Sequence, residues 1–309
     1  MIHSLQAQEK EIINEREGCI EMTQMKWKIT SYDSRVTVRD YLLHVRLFSR
    51  RLLKVIKEEG EIQLNGKPVT VRELLNTRDV LQVNFPEEKP SQVLVPMQHK
   101  LEKVYEDKFI LMVRKESGMA VLPNPNDPIQ TTLANAVMFD YQKRGLQKAI
   151  HIVTRLDRNT SGLVLIAKDR YTHHLLQQTD IDRSYIAIVE GKLKQKQGVI
   201  DLPIDRKLPS IIERTVSKNG KRAITHFQVT EERADYSFIK VRLETGRTHQ
   251  IRVHFSHLGH PLLGDDLYGG SRERLARQAL HCQWVCFRHP FSRKIMQFYS
   301  HLPSDMKRL

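Results

Sequence analysis

Two stretches of the chain carry residue types that chemistry on a polyanion would need. Residues 151–169 read HIVTRLDRNTSGLVLIAKD, with one carboxylate, Asp157, between Arg155 and Arg158 and ahead of the turn-forming run Asn159-Thr160-Ser161-Gly162. An aspartate before such a run is most simply a turn residue. In a basic chain it is also a candidate nucleophile or proton acceptor. Residues 241–270 read VRLETGRTHQIRVHFSHLGHPLLGDDLYGG, in which Arg247, Thr248, His249, Gln250 and Arg252 crowd a junction between a strand and an amphipathic helix over 248–258. Helix N-termini favour anions through free amides and the dipole. Arg247 there suits a phosphate clamp or a bidentate carboxylate pair, although taken singly it reads as a surface arginine.

Other chemistries find no support. The chain has no phosphate-cradling loop of Walker type, no Gly-x-Gly-x-x-Gly after a strand and no Gly-x-Ser-x-Gly elbow. His249, His254, His257 and His260 crowd one segment, and His281, Cys282, Cys286 and His289 another, but neither has a zinc-site spacing. In a strand over 279–287, Cys282 and Cys286 fall on one face and read as small core residues. The expectation is no metal and no nucleotide cofactor.

The background is basic. Among 309 residues, 50 Lys+Arg stand against 36 Asp+Glu, a formal charge of +14, which attracts nucleic acid or acidic membrane surfaces. The longest apolar runs, 109–113 and 163–167, are far too short to span a bilayer, and the first residues do not read as a secretory signal. Three cysteines, an odd and small number, suit a reducing cytoplasm.

The elements that must position these residues fall into two units. Residues 1–24 read as a flexible extension, with Met25 or Met22 as an alternative start of translation. Residues 25–86 form a small unit. Val38, Tyr41, Leu42 and Val45 make one helical stripe, and Ser49 caps a second helix with Leu52, Leu53 and Ile56 inward and Gly60 past its end. Asn65-Gly66 then marks a hairpin. From 35 to 57 seven basic residues face one acid, Asp40, and Arg46, Arg50, Arg51, Lys54 and Lys57 are the candidates to meet phosphate. Residues 87–98 read as a linker. From 99 to 309, seven strand-like runs, many joined by short turns, and a helix over 131–144 predict a larger α+β unit with a mixed, largely antiparallel sheet.

Two short helices and an Asn-Gly hairpin resemble the S4-type RNA-binding domain. RLDRNTSGLVLIAKD and LETGRTHQIRVHFSHLGHPLLGDDLYG together resemble the RluA-type pseudouridine synthases, with RSYIAIVEG (183–191), GKRAITHF (220–227) and YEDKFILMVRKESGMAVLP (105–123) agreeing between and before them. Thr154, Glu116 and Leu122 depart from that family's usual histidine, proline and histidine.

The resemblance implies isomerisation of uridine to pseudouridine in structured RNA, ribosomal RNA before transfer RNA, by a monomer that flips the base and uses neither cofactor nor metal. Asp157 would be the essential carboxylate, attacking the sugar, attacking the base, or abstracting a sugar proton. Arg247 would pair with it, Tyr185 stack on the uracil, Leu243 pack beside the base, and Arg155 hold phosphate or fill the vacated stack. Thr248, His249, Gln250 and Arg252 would complete the substrate contacts. Two rivals remain at this level: a non-catalytic S4-type RNA binder, and a glycoside hydrolase using Asp265-Asp266 as its second acid.

Overall fold

The computed structural model describes residues 24–88, 94–124, 131–146, 148–210 and 212–309. The expected extension, apart from Gln24, lies outside the described residues, as does Cys19. The described chain begins in a strand, β1 (Gln24–Lys28), with Met25 and Trp27 buried.

The N-terminal unit is a four-stranded antiparallel sheet in the order β1-β4-β2-β3, with β2 at Glu61–Leu64, β3 at Lys67–Pro68 and β4 at Val80–Asn84. It fits an S4-like domain. Helix α1 (Val38–Asp40) runs on into a π-helical turn over Tyr41–Val45. Val38, Tyr41 and Leu42 are buried as the stripe predicts, but the widened turn carries Val45 outward, where it is exposed. Helix α2 (Arg50–Glu59) is capped by Ser49, whose Oγ accepts the N–H of Leu52, and buries Leu52, Leu53 and Ile56.

The larger sheet runs β10-β13-β14-β9-β15-β8-β6-β5, with β16 on β15 and β7 on β8. Its strands are β5 (Glu102–Glu106), β6 (Ile110–Lys115), β7 (His151–Ile152), β8 (Ser161–Ala167), β9 (Asp182–Glu190), β10 (Gln197–Asp201), β13 (Ile224–Glu232), β14 (Tyr236–Leu243), β15 (Leu280–Arg288) and β16 (Ile295–Tyr299). A separate pair, β11 (Ile204–Arg206) and β12 (Arg214–Val216), lies beside it. All pairings are antiparallel save β8 with β15. At that contact Gly162 has φ +120°, and a Cβ on it would stand 2.2 Å from the carbonyl oxygen of Cys282, so only glycine fits. Helices α3 (Leu133–Lys143), α4 (Arg170–Gln177) and α5 (Gln250–His257) and the short α6 (Ser304–Lys307) belong to the same unit.

One expectation needs correction. A bulge between Cys282 and Trp284 breaks the alternation of β15, so Cys282 is fully buried while Cys286 is partly exposed; the two cysteines do not share a face. The two units also touch one another directly. Phe48 and Phe85 of the first pack on Tyr171 of α4, with ring centroids 4.4 and 6.0 Å away. The Tyr171 hydroxyl donates to the Arg46 carbonyl at 2.5 Å. The described ends of the 87–98 segment are anchored too: Glu88 pairs with His151 at 2.5 Å, and the Val95 carbonyl accepts from Asn135 at 2.7 Å.

Candidate active site

Asp157 follows β7 and opens the turn ahead of β8, closed by the N–H of Thr160 donating to the Asp157 carbonyl at 3.1 Å. Both turn chemistry and a displayed carboxylate are therefore present. The approach to the turn is held from two sides. Thr154 is buried, and its Oγ1 accepts the N–H of Leu165 at 2.9 Å. This departure from the family pattern thus faces the protein rather than the pocket. On the other side Lys115, 1 % exposed, donates from Nζ to the carbonyls of Glu116, Met119 and Arg158 at 2.8, 2.8 and 3.0 Å. Burial pushes its pKa down to about 7, yet three acceptors match the three donors of the charged form. Lys115 thereby ties the turn after β6 to the turn that carries Asp157.

Around Asp157 gather Arg155, Arg183, Tyr185, Leu243, Arg247, His249, Gln250 and Arg252, which line one pocket. Thr248 is exposed and is not among the lining residues. The partner of Asp157 is the main correction. Arg252, not Arg247, reaches it, with Nη1 3.2 Å from Oδ2. Arg247 lies in the turn before α5, exposed, with its Nε donating to the Arg222 carbonyl at 2.9 Å. Arg252 sits within the first turn of α5, a helix whose residues 250–255 are all buried, so its side chain is held toward the carboxylates. The helix is not amphipathic, as the sequence pattern predicts, but enclosed.

A buried arginine needs partners. Arg252 also grips Asp265, Nε to Oδ2 and Nη2 to Oδ1 both at 2.7 Å, and its guanidinium lies over the Tyr268 ring at 4.9 Å. Burial works against its charge, and the two carboxylates more than offset it, raising its pKa. The Asp265 side chain is fully enclosed and bidentately bound, so it cannot serve as the second acid of a hydrolase. Sequence reasoning missed Lys115 altogether and the role of Asp265, which it named as a rival's second acid. No sequence signal marks Asp265, because the enclosure of Arg252 is set by tertiary packing.

His249 has φ 58°, ends the turn, and places Nε2 3.8 Å from Asp157 and Nδ1 2.9 Å from the Tyr268 hydroxyl. Burial lowers its pKa, with the Asp157 charge opposing, which favours a neutral imidazole. Gln250 is a strut: Nε2 donates to Ile224 O and Thr225 Oγ1, and Oε1 accepts from the Arg247 N–H and Thr245 Oγ1. Tyr185, 4 % exposed in the middle of the sheet, forms part of the pocket floor; burial raises its phenol pKa and keeps it neutral. Leu243 ends β14 at the same pocket.

The proposed RNA face of the first unit divides. Arg50, Arg51, Lys54 and Lys57 are exposed on α2. Arg46 instead donates from Nε to the Tyr41 hydroxyl at 2.8 Å and lies over the Trp27 and Tyr41 rings, so it serves packing.

Among the described residues no group of three or more His, Cys, Asp or Glu is placed to hold a metal ion, and no helix is long and apolar enough to cross a membrane. His254 bonds Thr225 and Leu202, and His281 bonds Ser161 and Ser300.

Residues 109–257 match the family described as RNA pseudouridylate synthase. The chain is 43 % identical over 279 residues to an uncharacterized RNA pseudouridine synthase, YjbO, of Bacillus subtilis, covering 89 % of this chain and 98 % of that protein. It is 36 % identical over 299 residues to the ribosomal large subunit pseudouridine synthase D of Vibrio cholerae, covering 87 % and 91 %. In fold it is similar to human RNA pseudouridylate synthase domain containing 1, with TM-score 0.55 and 23 % identity over 70 % of this chain and 86 % of that one.

Proposed function

We propose, from the premise that this chain belongs to the RluA-type RNA pseudouridine synthases and isomerises uridine in RNA, that Asp157 is its essential carboxylate and ribosomal RNA its substrate. The observation that carries the assignment is the Asp157–Arg252–Asp265 chain. Asp265 pins Arg252, and Arg252 holds Asp157 aimed into a pocket that Tyr185 lines. A carboxylate so fixed suits attack on the sugar, attack on the base, or removal of a sugar proton.

The burial of Tyr185 supports base flipping. Tyr185 is buried at its floor, so a base stacked in RNA cannot meet it without leaving the stack. Tyr185 then stacks on the uracil and Leu243 packs beside it, while the exposed Arg155 and Arg247 take phosphate at the rim. The exposed basic face of α2 supplies backbone affinity. Relatives named for the large ribosomal subunit and the basic first unit favour ribosomal RNA. The first unit, residues 25–86, serves as the RNA-binding domain and residues 99–309 as the catalytic domain of a monomer.

The test is pseudouridine mapping of total RNA from the host with and without the protein. Positions lost from large-subunit ribosomal RNA on deletion are expected. Positions lost only from transfer RNA would reverse the substrate assignment.

A further inference from the structure

Arg183 is the cation of the pocket that the roles above leave unused. It stands two residues before Tyr185 on β9, on the same face, and lines the Asp157 pocket. Among the described residues no carboxylate pairs with it, and its Nε is buried without a hydrogen-bond partner. Arg183 as a whole is half-buried, but an enclosed polar atom left without a partner in a native site calls for an explanation. The neighbouring Arg252 has two carboxylates, so the pocket is not short of acids.

Gly246 adds a second, independent observation. A Cβ on this residue would stand 3.0 Å from Nη2 of Arg183, and the three nearest heavy atoms all belong to that guanidinium. Gly246 has no positive φ, so its backbone does not demand glycine. What it provides is room for the guanidinium.

We propose that Arg183 is the base-side cation of the reaction, a further substrate-contacting residue that takes up the negative charge uracil acquires during isomerisation. This rests on the reading of Asp157 as the reacting carboxylate. When the C1′–N1 bond breaks, its electron pair stays on the base and spreads over N1 and the carbonyl oxygens. C1′ is left electron-poor, to be met by the carboxylate or to lose a C2′ proton to it. If the carboxylate first adds to the base ring, the displaced pair reaches C5 and a carbonyl oxygen instead. Each route makes the base anionic before the C1′–C5 bond forms. The C5 proton then leaves and N1 gains one, so protons and charge balance without a co-reactant. A cation with no carboxylate of its own, fixed before the charge appears, is what such a step uses. Phosphate falls instead to Arg155 and Arg247, which are exposed at the rim, whereas the Nε of Arg183 is enclosed beside Tyr185.

The experiment is single-turnover tritium release from [5-³H]uridine-labelled ribosomal RNA taken from a host lacking the protein. Arg183→Gln is expected to slow release at saturating RNA by about 100-fold or more, with RNA affinity and its salt slope unchanged. Arg183→Lys should recover most of the rate. Gly246→Ala should slow the wild type several-fold yet add nothing to Arg183→Gln, because the crowded group is already gone. Release by Arg183→Gln within threefold of wild type would overturn the assignment. So would a loss confined to affinity with a salt slope lower by about one, the mark of a phosphate contact, or a Gly246→Ala effect that persists in the double variant. Should Arg183→Gln fail to fold in a thermal melt, Gly246→Ala carries the test alone. A wild type that releases no tritium would overturn the reading of Asp157 itself and the Arg183 assignment with it.

Discussion

Arg252→Lys separates a clamp from a mere counter-charge. Arg252 spans two carboxylates, Asp265 through two bonds of 2.7 Å and Asp157 through one of 3.2 Å. A lysine keeps the charge but offers its donors from one point, so it can hold Asp265 by one bond and cannot also reach Asp157. The lost bond to Asp265 is charge-assisted and fully enclosed, worth about 1.5–3 kcal/mol. The Asp157 side chain is 26 % exposed, so water offsets much of that loss and about 1 kcal/mol remains. The sum, about 2.5–4 kcal/mol, is well inside the stability of an ordinary domain, so the variant should fold. Urea unfolding reads this term. The rate should fall further than stability implies, by about 10- to 100-fold in single-turnover tritium release at saturating RNA, because Asp157 loses its fixed aim. RNA affinity should hold. Stability within about 0.5 kcal/mol of wild type, together with a rate within twofold, would refute the claim that one guanidinium positions both carboxylates.

Three further outcomes are expected. Glu106 accepts from Lys168, Arg144 and Lys103 at 2.9, 2.8 and 3.1 Å; burial works to raise its pKa, but these bonds hold it at about 2. Its contribution is therefore complete above the ordinary glutamate range and fades as pH falls through about 2. Glu106→Gln should cost about 1–2 kcal/mol in urea unfolding at pH 7, discounted for partial exposure, and far less near pH 2; an equal cost at both pH values would contradict the ionic account. Gly162→Ala should lose more than about 3 kcal/mol, since it meets both a positive φ and the Cys282 backbone, and a melting temperature near wild type would show that β8 and β15 do not approach as described. Neutralising Arg50, Arg51 and Lys54 together should weaken RNA binding and lower the salt slope by about two, whereas an unchanged slope would remove α2 from the RNA interface.

Local pattern carried much of the fold. The Ser49 cap, the stripe at Val38, Tyr41 and Leu42, and most strands of the large sheet lie where periodicity and turn residues place them. Helix α4 was hidden because Arg170–Gln177 mixes two histidines and a glutamine with few apolar residues and is held by packing Tyr171 against the first unit. At the site, residue types and spacing brought out every side chain that lines the pocket on the β14–α5 turn, yet named the wrong partner for Asp157. The choice between Arg247 and Arg252 depends on where α5 starts and how deeply it is enclosed, both set by tertiary packing. Asp265 stood as the second acid of a rival hydrolase; its carbonyl accepts turn bonds from Tyr268 and Gly270 while its side chain holds Arg252. Lys115 was silent because its three acceptors are backbone carbonyls, which carry no residue signature.

The most direct measurement is Asp157→Asn in the tritium-release assay, run beside an RNA-binding titration. The substitution preserves shape and leaves Arg252 paired with Asp265. Release at least about a thousandfold below wild type, with affinity within a few-fold, is the predicted result. Turnover within tenfold of wild type would contradict the assignment of Asp157 as the reacting carboxylate.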